Sequence, residues 1–275
     1  MVPTTSETSV VGVTSPSQTN ALGVLSRNYT MDFSYTEVPL PDDAVFKISP
    51  SQIDNFFSSP VVWYKEQVLG QKVFEGSSAT HLGTIIHAVA EAYAKSESTS
   101  RDEIEEYLLT VSNPDVDKNL IRDLYPMMAE ALINEYVSTN PPTEVEYQTL
   151  AHVKDGVYVG GTVDNRTGTT IVDYKNVSTK PKTDSIPFGY KIQMLAYAYA
   201  DRERGIDTDR IRLVYTVRPT KTLPVRVFVV NHMIQESDWV LIEQTLNLIA
   251  ESVLAVRNDP SITHLVFKSM NLKQQ

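Results

Sequence analysis

Hydrophobic residues alternate with small or polar residues from Val157 to Val163, and a β-type pattern resumes from Ile171 to Tyr174. The sequence between these two runs, NRTGT, is rich in turn-forming residues. A period of two on both sides of a short glycine-containing loop predicts two antiparallel strands. We therefore expect a β-hairpin with Gly168 in its turn.

Three charged side chains converge in this predicted hairpin. Asp173 and Lys175 are two residues apart, so a strand places both on one face of the sheet. Asp164 ends the first strand, where the hairpin can fold it back beside Asp173. Carboxylate oxygens are the ligands that Mg²⁺ prefers, and a lysine can position a water nucleophile or stabilise a charged phosphate. The alternative is an ordinary solvated ion pair, because a short D-x-K motif also occurs by chance.

Helical patterns dominate the first half of the chain. The widest apolar stripe predicts a helix over 78–95, on which Gly83 and His87 lie one turn apart on the same side. His87 can offer an imidazole nitrogen to a metal ion, or it can be a core histidine that is hydrogen-bonded to a neighbour. Further helices are expected over 49–58, 100–110 and 117–138. The other histidines, His81, His152, His232 and His264, lack such a context and are interpreted as structural or surface residues.

The apolar period changes to two after Pro141 and Pro142. A strand is expected from Glu144 onward, with Glu144, Glu146 and Gln148 on one face. One of these three side chains can point at the predicted site.

A later helix begins near Gly189 and carries Gln193 and Tyr197 one turn apart on one face. Two more strands, IRLVYTVRP and VRVFVVN, and a closing helix over about 236–257 complete the pattern. The expected fold is an α/β fold with an αβββαβ core, in which helices flank a mixed sheet and a helical region precedes it.

The composition limits the kinds of protein and of site that this chain can form. The 275 residues suffice for one large domain or two small ones. We expect residues 1–30 to form a disordered or loosely packed tail, and 31–275 to form one domain with a helical part over about 48–140 and a sheet-containing core over about 143–257. The absence of cysteine excludes disulfides and zinc–thiolate or iron–sulfur sites. No apolar stretch is expected to span a membrane and no signal peptide is recognised, so a cytoplasmic location is expected.

The charge is distributed unevenly. The net charge of −10 argues against a generic basic nucleic-acid coat protein. The segment from Glu97 to Glu146 has twelve acidic and three basic residues, which is typical of solvated helix faces. The segment from Lys175 to Lys221 has ten basic and five acidic residues. This basic segment begins at the predicted site, so it can contact a polyanion.

Four motifs occur in a fixed order along the chain: G-x-x-x-H (Gly83 to His87), G-x-x-D (Gly161 to Asp164), D-Y-K (Asp173 to Lys175) and Q-x-x-x-Y (Gln193 to Tyr197). This order, on these element types, resembles the RecB-type branch of the PD-(D/E)XK nuclease superfamily. The resemblance extends over about 48–216. It implies a restriction-endonuclease-like fold.

The resemblance also implies roles for individual residues. His87, Asp164, Asp173 and the backbone carbonyl of Tyr174 would be ligands of Mg²⁺, for which Mn²⁺ can substitute. Lys175 would orient and activate the attacking water. Gln193 and Tyr197 would hold the substrate strand and support the site, and Glu146 matches an acidic residue of the first strand. The implied reaction is phosphodiester hydrolysis by an exonuclease that acts on DNA with a free end, in recombination, repair or replication.

The chain departs from part of that branch, because related CRISPR-associated exonucleases carry four cysteines that hold an iron–sulfur cluster. Ser59 stands where the first of these is expected, which implies a cluster-free enzyme. No helicase region is recognised, so a helicase, a single-strand-binding protein or an annealing protein is the expected partner. A chain of this size is typical of stand-alone bacteriophage exonucleases, which act in the cytoplasm of a bacterial or phage-infected cell. The alternatives are a non-catalytic module that binds nucleic acid or protein, and an endonuclease on the same core.

Overall fold

Six strands form one mixed sheet in the computed structural model, which describes residues 38–73, 75–97 and 99–268. The strands are β1 (Phe46–Ile48), β2 (Glu144–Lys154), β3 (Val157–Thr167), β4 (Thr170–Val177), β5 (Arg210–Val217) and β6 (Arg226–Met233). The expected mixed sheet flanked by helices is confirmed. The predicted tail over 1–30 lies outside the described residues.

The central strand β3 organises the sheet. β2 pairs antiparallel with one edge of β3 along almost its whole length. The other edge is shared, because β1 pairs in parallel with its first residues and β4 pairs antiparallel with its last. β5 then adds to β4 in parallel and β6 adds to β5 antiparallel. The middle of β3, between its β1 and β4 contacts, is left without a strand partner on that edge.

Eight α-helices accompany the sheet in the described part of the chain. They are α1 (Ile53–Ser58), α2 (Pro60–Trp63), α3 (Ser78–Ala94), α4 (Arg101–Thr110), α5 (Lys118–Leu132), α6 (Phe188–Glu203), α7 (Glu236–Asn258) and α8 (Thr263–Lys268). Short π-helical turns, Tyr64–Val68 and Ile133–Val137, extend α2 and α5. The helix α6 provides the crossover that a parallel β4–β5 pair requires.

The two faces of the sheet carry different helices. α6 and α7, with α1 and α2, pack against Ile171, Leu213 and Tyr215. α3, α4 and α5 pack against the alternate residues of the same strands, including Val172 and Val214. Because both faces are covered, most residues of β4 and β5 are buried, and Asp173 of β4 is a charged residue at a buried position.

Two sequence predictions are corrected by the structure. Strand β3 does not end at Asp164 but continues to Thr167, and the hairpin turn contains only Gly168 and Thr169. Gly168 has φ +57°, which glycine adopts without the strain of a Cβ atom.

The second correction concerns α7. Among the described residues, α7 alone is long and apolar enough, by length and composition, to cross a membrane, so the expectation that no segment meets this criterion was wrong. Its apolar residues have a structural role, because Ile242, Leu246, Ile249 and Val253 are completely buried against the α6 side of the sheet.

Candidate active site

The candidate site lies where β3 and β4 separate. Pairing between the two strands stops at Asn165 and Val172, so Asp164 and Asp173 are not joined by the ladder. Instead, the Asp164 carboxylate accepts a hydrogen bond of 2.9 Å from the backbone N–H of Tyr174. The side chain thus replaces the lost strand partner, which satisfies a donor that would otherwise be unpaired.

His87 approaches Asp164 from helix α3. Its Nδ1 lies 3.4 Å from Asp164 Oδ2, and its ring meets the ring of Tyr174 edge-on with centroids 5.8 Å apart. Burial lowers the pKa of His87, but the carboxylates of Asp164 and Asp173 outweigh burial and raise it overall. Burial conversely raises the pKa of Asp164, and His87, Lys175 and the Tyr174 N–H together hold it below its usual range. Each of the two groups thus favours the charged form of the other.

Asp173 and Lys175 form a second pair on the α6 side of the sheet. Lys175 Nζ lies 2.8 Å from one carboxylate oxygen of Asp173 and donates to the other at 3.1 Å. Asp173 is only 4% exposed. Burial and the nearby Asp164 raise the pKa of Asp173, against the opposing effect of Lys175. Burial lowers the pKa of Lys175, but Asp173 and Asp164 raise it overall, so Lys175 is an ammonium group.

Helix α6 completes the surroundings of this pair. The side-chain amide of Gln193 donates to Asp173 at 3.2 Å, and its oxygen accepts from Lys175 at 3.5 Å. Tyr197 lies one turn after Gln193 on α6, and a Cβ at Gly161, which precedes Asp164 on β3, would lie 3.5 Å from the Tyr197 ring. Tyr190 places its ring 5.0 Å from Lys175 Nζ, within the range of a cation–π contact.

Glu146 reaches the same region from β2. The register pairs Val145 with Asn165 and Tyr147 with Val163, which places Glu146 opposite Asp164. Glu146 has φ +49°, a left-handed conformation that is strained for a residue with a side chain. Burial, with the carboxylates of Asp164 and Glu91, raises the pKa of Glu146 to about 8.

The donor set is chemically suited to a divalent cation. An imidazole and two largely buried carboxylates lie around the strand divergence, and one oxygen of Asp173 accepts no well-directed hydrogen bond. As positioned, no three histidine or acidic side chains of the described residues converge closely enough to hold an ion. Lys175 occupies the Asp173 carboxylate in this arrangement.

The sequence-predicted residues thus form two adjoining groups, His87–Asp164–Glu146 and Asp173–Lys175–Gln193–Tyr197. The carbonyl of Tyr174 as a ligand stays a prediction. Sequence reasoning missed Tyr190 and Glu91. Helical spacing could have indicated both, since Tyr190 is three residues before Gln193 and Glu91 is four residues after His87.

The remaining histidines lie in other contacts. His81 hydrogen-bonds to Tyr107 at 2.8 Å, and His232 to Asp238 at 2.7 Å. His152 packs on the ring of Tyr158. His264 contacts the carbonyl of Ser261 within its own helical segment. These contacts agree with the interpretation of these four residues as structural or surface residues.

Comparison with known proteins gives a family match. A sequence model of the PD-(D/E)XK nuclease superfamily matches residues 47–261. No curated protein matches the chain. The solved structures include a proposed exonuclease from Eubacterium rectale, which is 15% identical with a TM-score of 0.53 and covers 77% of this chain and 81% of its own. The LHK-Exo complex with dAMP is 13% identical with a TM-score of 0.36, over 70% of this chain and 97% of its own.

Proposed function

The chain belongs to the PD-(D/E)XK nuclease superfamily, and we propose that it is a metal-dependent DNA exonuclease that hydrolyses phosphodiester bonds. Family membership supports nuclease activity, and members of this superfamily generally use divalent metal ions. The observation that carries the proposal is the buried arrangement of Asp173, Lys175 and Gln193 beside Asp164 and His87. In this arrangement, acidic side chains that can bind a metal ion lie beside the positively charged Lys175, at the point where β3 and β4 separate.

Lys175 acts as a positive charge in the proposed mechanism. Its pKa is raised overall by Asp173 and Asp164, so it holds its proton and is unsuited to removing one from water in this state. An ammonium group at this position orients a water molecule by hydrogen bonding and stabilises the negative charge that develops on the phosphate. Gln193 contacts both Lys175 and Asp173 and thereby restrains their relative position.

His87, Asp164, Asp173 and the Tyr174 carbonyl would hold the metal ion, with Mg²⁺ as the expected ion and Mn²⁺ as a substitute. A bound divalent cation lowers the pKa of coordinated water and offsets charge on the phosphate. The Tyr174 N–H fixes the orientation of Asp164, and Glu146 adds an acidic side chain opposite Asp164 across the β2–β3 ladder. Tyr197 supports Gln193 from the next turn of α6.

The choice of an exonuclease over an endonuclease rests on the order of motifs that resembles the RecB-type branch. A role in recombination, repair or replication in the cytoplasm, with a helicase, single-strand-binding or annealing protein as partner, is part of the same proposal.

Digestion of end-labelled linear DNA and of closed circular DNA tests the proposal. Each substrate is incubated with Mg²⁺, with Mn²⁺ and with EDTA. Wild type is expected to degrade only the linear DNA, and only with a metal ion. Asp173→Ala and Lys175→Ala should lose this activity with unchanged circular dichroism, whereas Asp123→Ala, which removes an exposed carboxylate on α5, should retain it.

Three other outcomes of this experiment would change the proposed function or mechanism. Cleavage of the circle, lost in Asp173→Ala, would establish an endonuclease. Binding of DNA without cleavage under any condition would favour a non-catalytic module. Activity that persists in EDTA would overturn the metal mechanism.

A further inference from the structure

A row of side chains leads across the sheet away from Lys175. The parallel register pairs Lys175 of β4 with Tyr215 of β5, and the antiparallel register pairs Tyr215 with Phe228 of β6. Tyr215 and Phe228 both pack with the α6-side core, so the row lies on the sheet face that carries Lys175. Arg226 is two residues before Phe228 and therefore projects to the same side.

Two cations lie on the ring at the end of this row. Lys180 Nζ is 5.4 Å from the ring centroid of Phe228, and the guanidinium carbon of Arg226 is 5.7 Å from it. Both distances are within the range of cation–π attraction. The ring of Phe228 therefore contacts both a lysine and an arginine.

The described residues provide no counterion for these two charges. No carboxylate among them lies within salt-bridge distance of Lys180 or Arg226, and the buried Nε–H of Arg226 has no hydrogen-bond acceptor. Two cations of helix α6, by contrast, are neutralised within the protein, since Lys191 pairs with Asp238 and Arg202 pairs with Glu243. The positive charges of Lys180, which is exposed, and of Arg226, which is half-buried, are therefore available to an anionic ligand around Phe228.

The spacing of the row suits a nucleic-acid strand. Adjacent strands are about 4.8 Å apart, so Phe228 lies about 10 Å from Lys175 across two strand spacings. Tyr215 lies between them and is only 1% exposed, so a strand of DNA that contacts both positions passes over the surface above Tyr215 and spans several nucleotides.

We propose that Lys180 and Arg226, which contact the ring of Phe228, bind the sugar–phosphate backbone of the substrate several nucleotides from the scissile phosphate. The proposal rests on the nuclease function proposed above. An arginine can bind a phosphate with two hydrogen bonds, and a lysine beside the same ring adds a second positive charge. The contact is to the backbone, so it positions the strand independently of base sequence.

The test is the salt dependence of binding. Fluorescence anisotropy in EDTA measures the affinity of the full chain for a labelled single-stranded oligonucleotide between 50 and 200 mM KCl, about the range over which phosphate contacts dominate. The test compares two double variants. One is Lys180→Gln/Arg226→Gln, and the control is Lys65→Gln/Arg101→Gln, which removes the same charge from exposed positions outside the row.

Loss of two phosphate contacts in Lys180→Gln/Arg226→Gln should weaken binding. The plot of log K against the logarithm of salt concentration should become less steep by about 1.4 for single-stranded DNA. The control pair should keep the slope of wild type. The difference should vanish for dinucleotides, which are too short to reach Phe228 from Lys175, and should be present for strands of about six nucleotides.

A salt slope equal to that of wild type in Lys180→Gln/Arg226→Gln would overturn the proposal. Binding of polyglutamate as tight as that of DNA, and weakened by the same double variant, would also overturn it. That outcome would assign the row to an acidic polypeptide. Failure of wild type to bind any nucleic acid would overturn both this proposal and the nuclease assignment. Row-dependent binding without cleavage by wild type would support the row and refute only the catalytic function.

Discussion

Glu146 lies opposite Asp164 across the β2–β3 ladder, at a position where β2 adopts φ +49°. Two acidic side chains therefore face each other beside the point where β4 leaves β3. The pKa of Glu146 is raised to about 8 by burial and by the carboxylates of Asp164 and Glu91. This arrangement is costly in the protein alone and suits a site whose carboxylates share a bound cation.

Replacement of Glu146 by Gln should stabilise the metal-free protein at alkaline pH. An unfolded glutamate has a pKa of about 4.3, so the folded state holds this proton more tightly. The resulting stability is present below about pH 4.3 and is lost as pH rises through about 8. Gln cannot lose a proton, so Tm at pH 9 should exceed that of wild type by at least about 2 °C and the difference should shrink toward pH 5.

Thermal denaturation in EDTA across this pH range measures the effect. Glu130→Gln, at an exposed position of α5, is the control and should show no such trend. A Tm difference for Glu146→Gln that does not change with pH would contradict the raised pKa.

Gln193→Ala should reduce cleavage by about 10–100-fold, the usual effect of removing a group that orients metal ligands. Gln193 contacts both Asp173 and Lys175, so its loss leaves their relative position less restrained. The initial rate on linear DNA is measured as Mg²⁺ is titrated, and the concentration for half-maximal rate should rise. Gln244→Ala, an exposed change on α7, should match wild type. A Gln193→Ala enzyme with wild-type rate and metal dependence would remove Gln193 from the site.

Arg166→Met should destabilise the fold by about 3–5 kcal/mol, because it leaves a buried carboxylate without its partner. Arg166 of β3 forms an ion pair with Asp201 of α6, and Asp201 has no exposed surface. Tyr147 also donates to Asp201 at 2.8 Å, which ties β2 to the same pair.

A double-mutant cycle with Asp201→Asn isolates this interaction by urea denaturation. The double variant should be less destabilised than the sum of the two single variants, since removal of both charges leaves neither one unpaired. Additive losses would show that the two side chains act independently.

Alanine at Gly160 and at Gly83 should have opposite effects on the free energy of unfolding. A Cβ at Gly160 would lie 2.3 Å from the carbonyl oxygen of Thr149, so β2 and β3 would have to separate. The expected loss is about 1–3 kcal/mol. At Gly83 the nearest atom, on Asn176, would be 3.8 Å away, which is an ordinary contact. Helix propensity then gives a gain of up to about 1 kcal/mol. Equal effects of the two substitutions in urea denaturation would contradict this interpretation.

Much of the local structure follows from the sequence alone. The apolar stripe of α3 predicted its extent closely, and α4, whose N-cap is Ser100, ends at Thr110 as its pattern predicted. The alternation around the hairpin predicted β3 and β4, because side-chain direction in a strand depends only on the period of two. These features depend on neighbours a few residues apart in the chain. The same short spacing places Asp173 with Lys175, and Gln193 with Tyr197.

The tertiary structure decided where these local groups meet. β1 is three residues long and has no periodic signal, yet it occupies the edge of β3 that β4 leaves free. The pairing of Arg166 with Asp201, and the row from Lys175 to Phe228, join residues that are distant in the sequence. The left-handed turn of Glu146 likewise has no local signature, since glutamate does not favour positive φ. Sequence patterns fix the direction of each side chain within its element, whereas sheet order and register determine which side chains face one another.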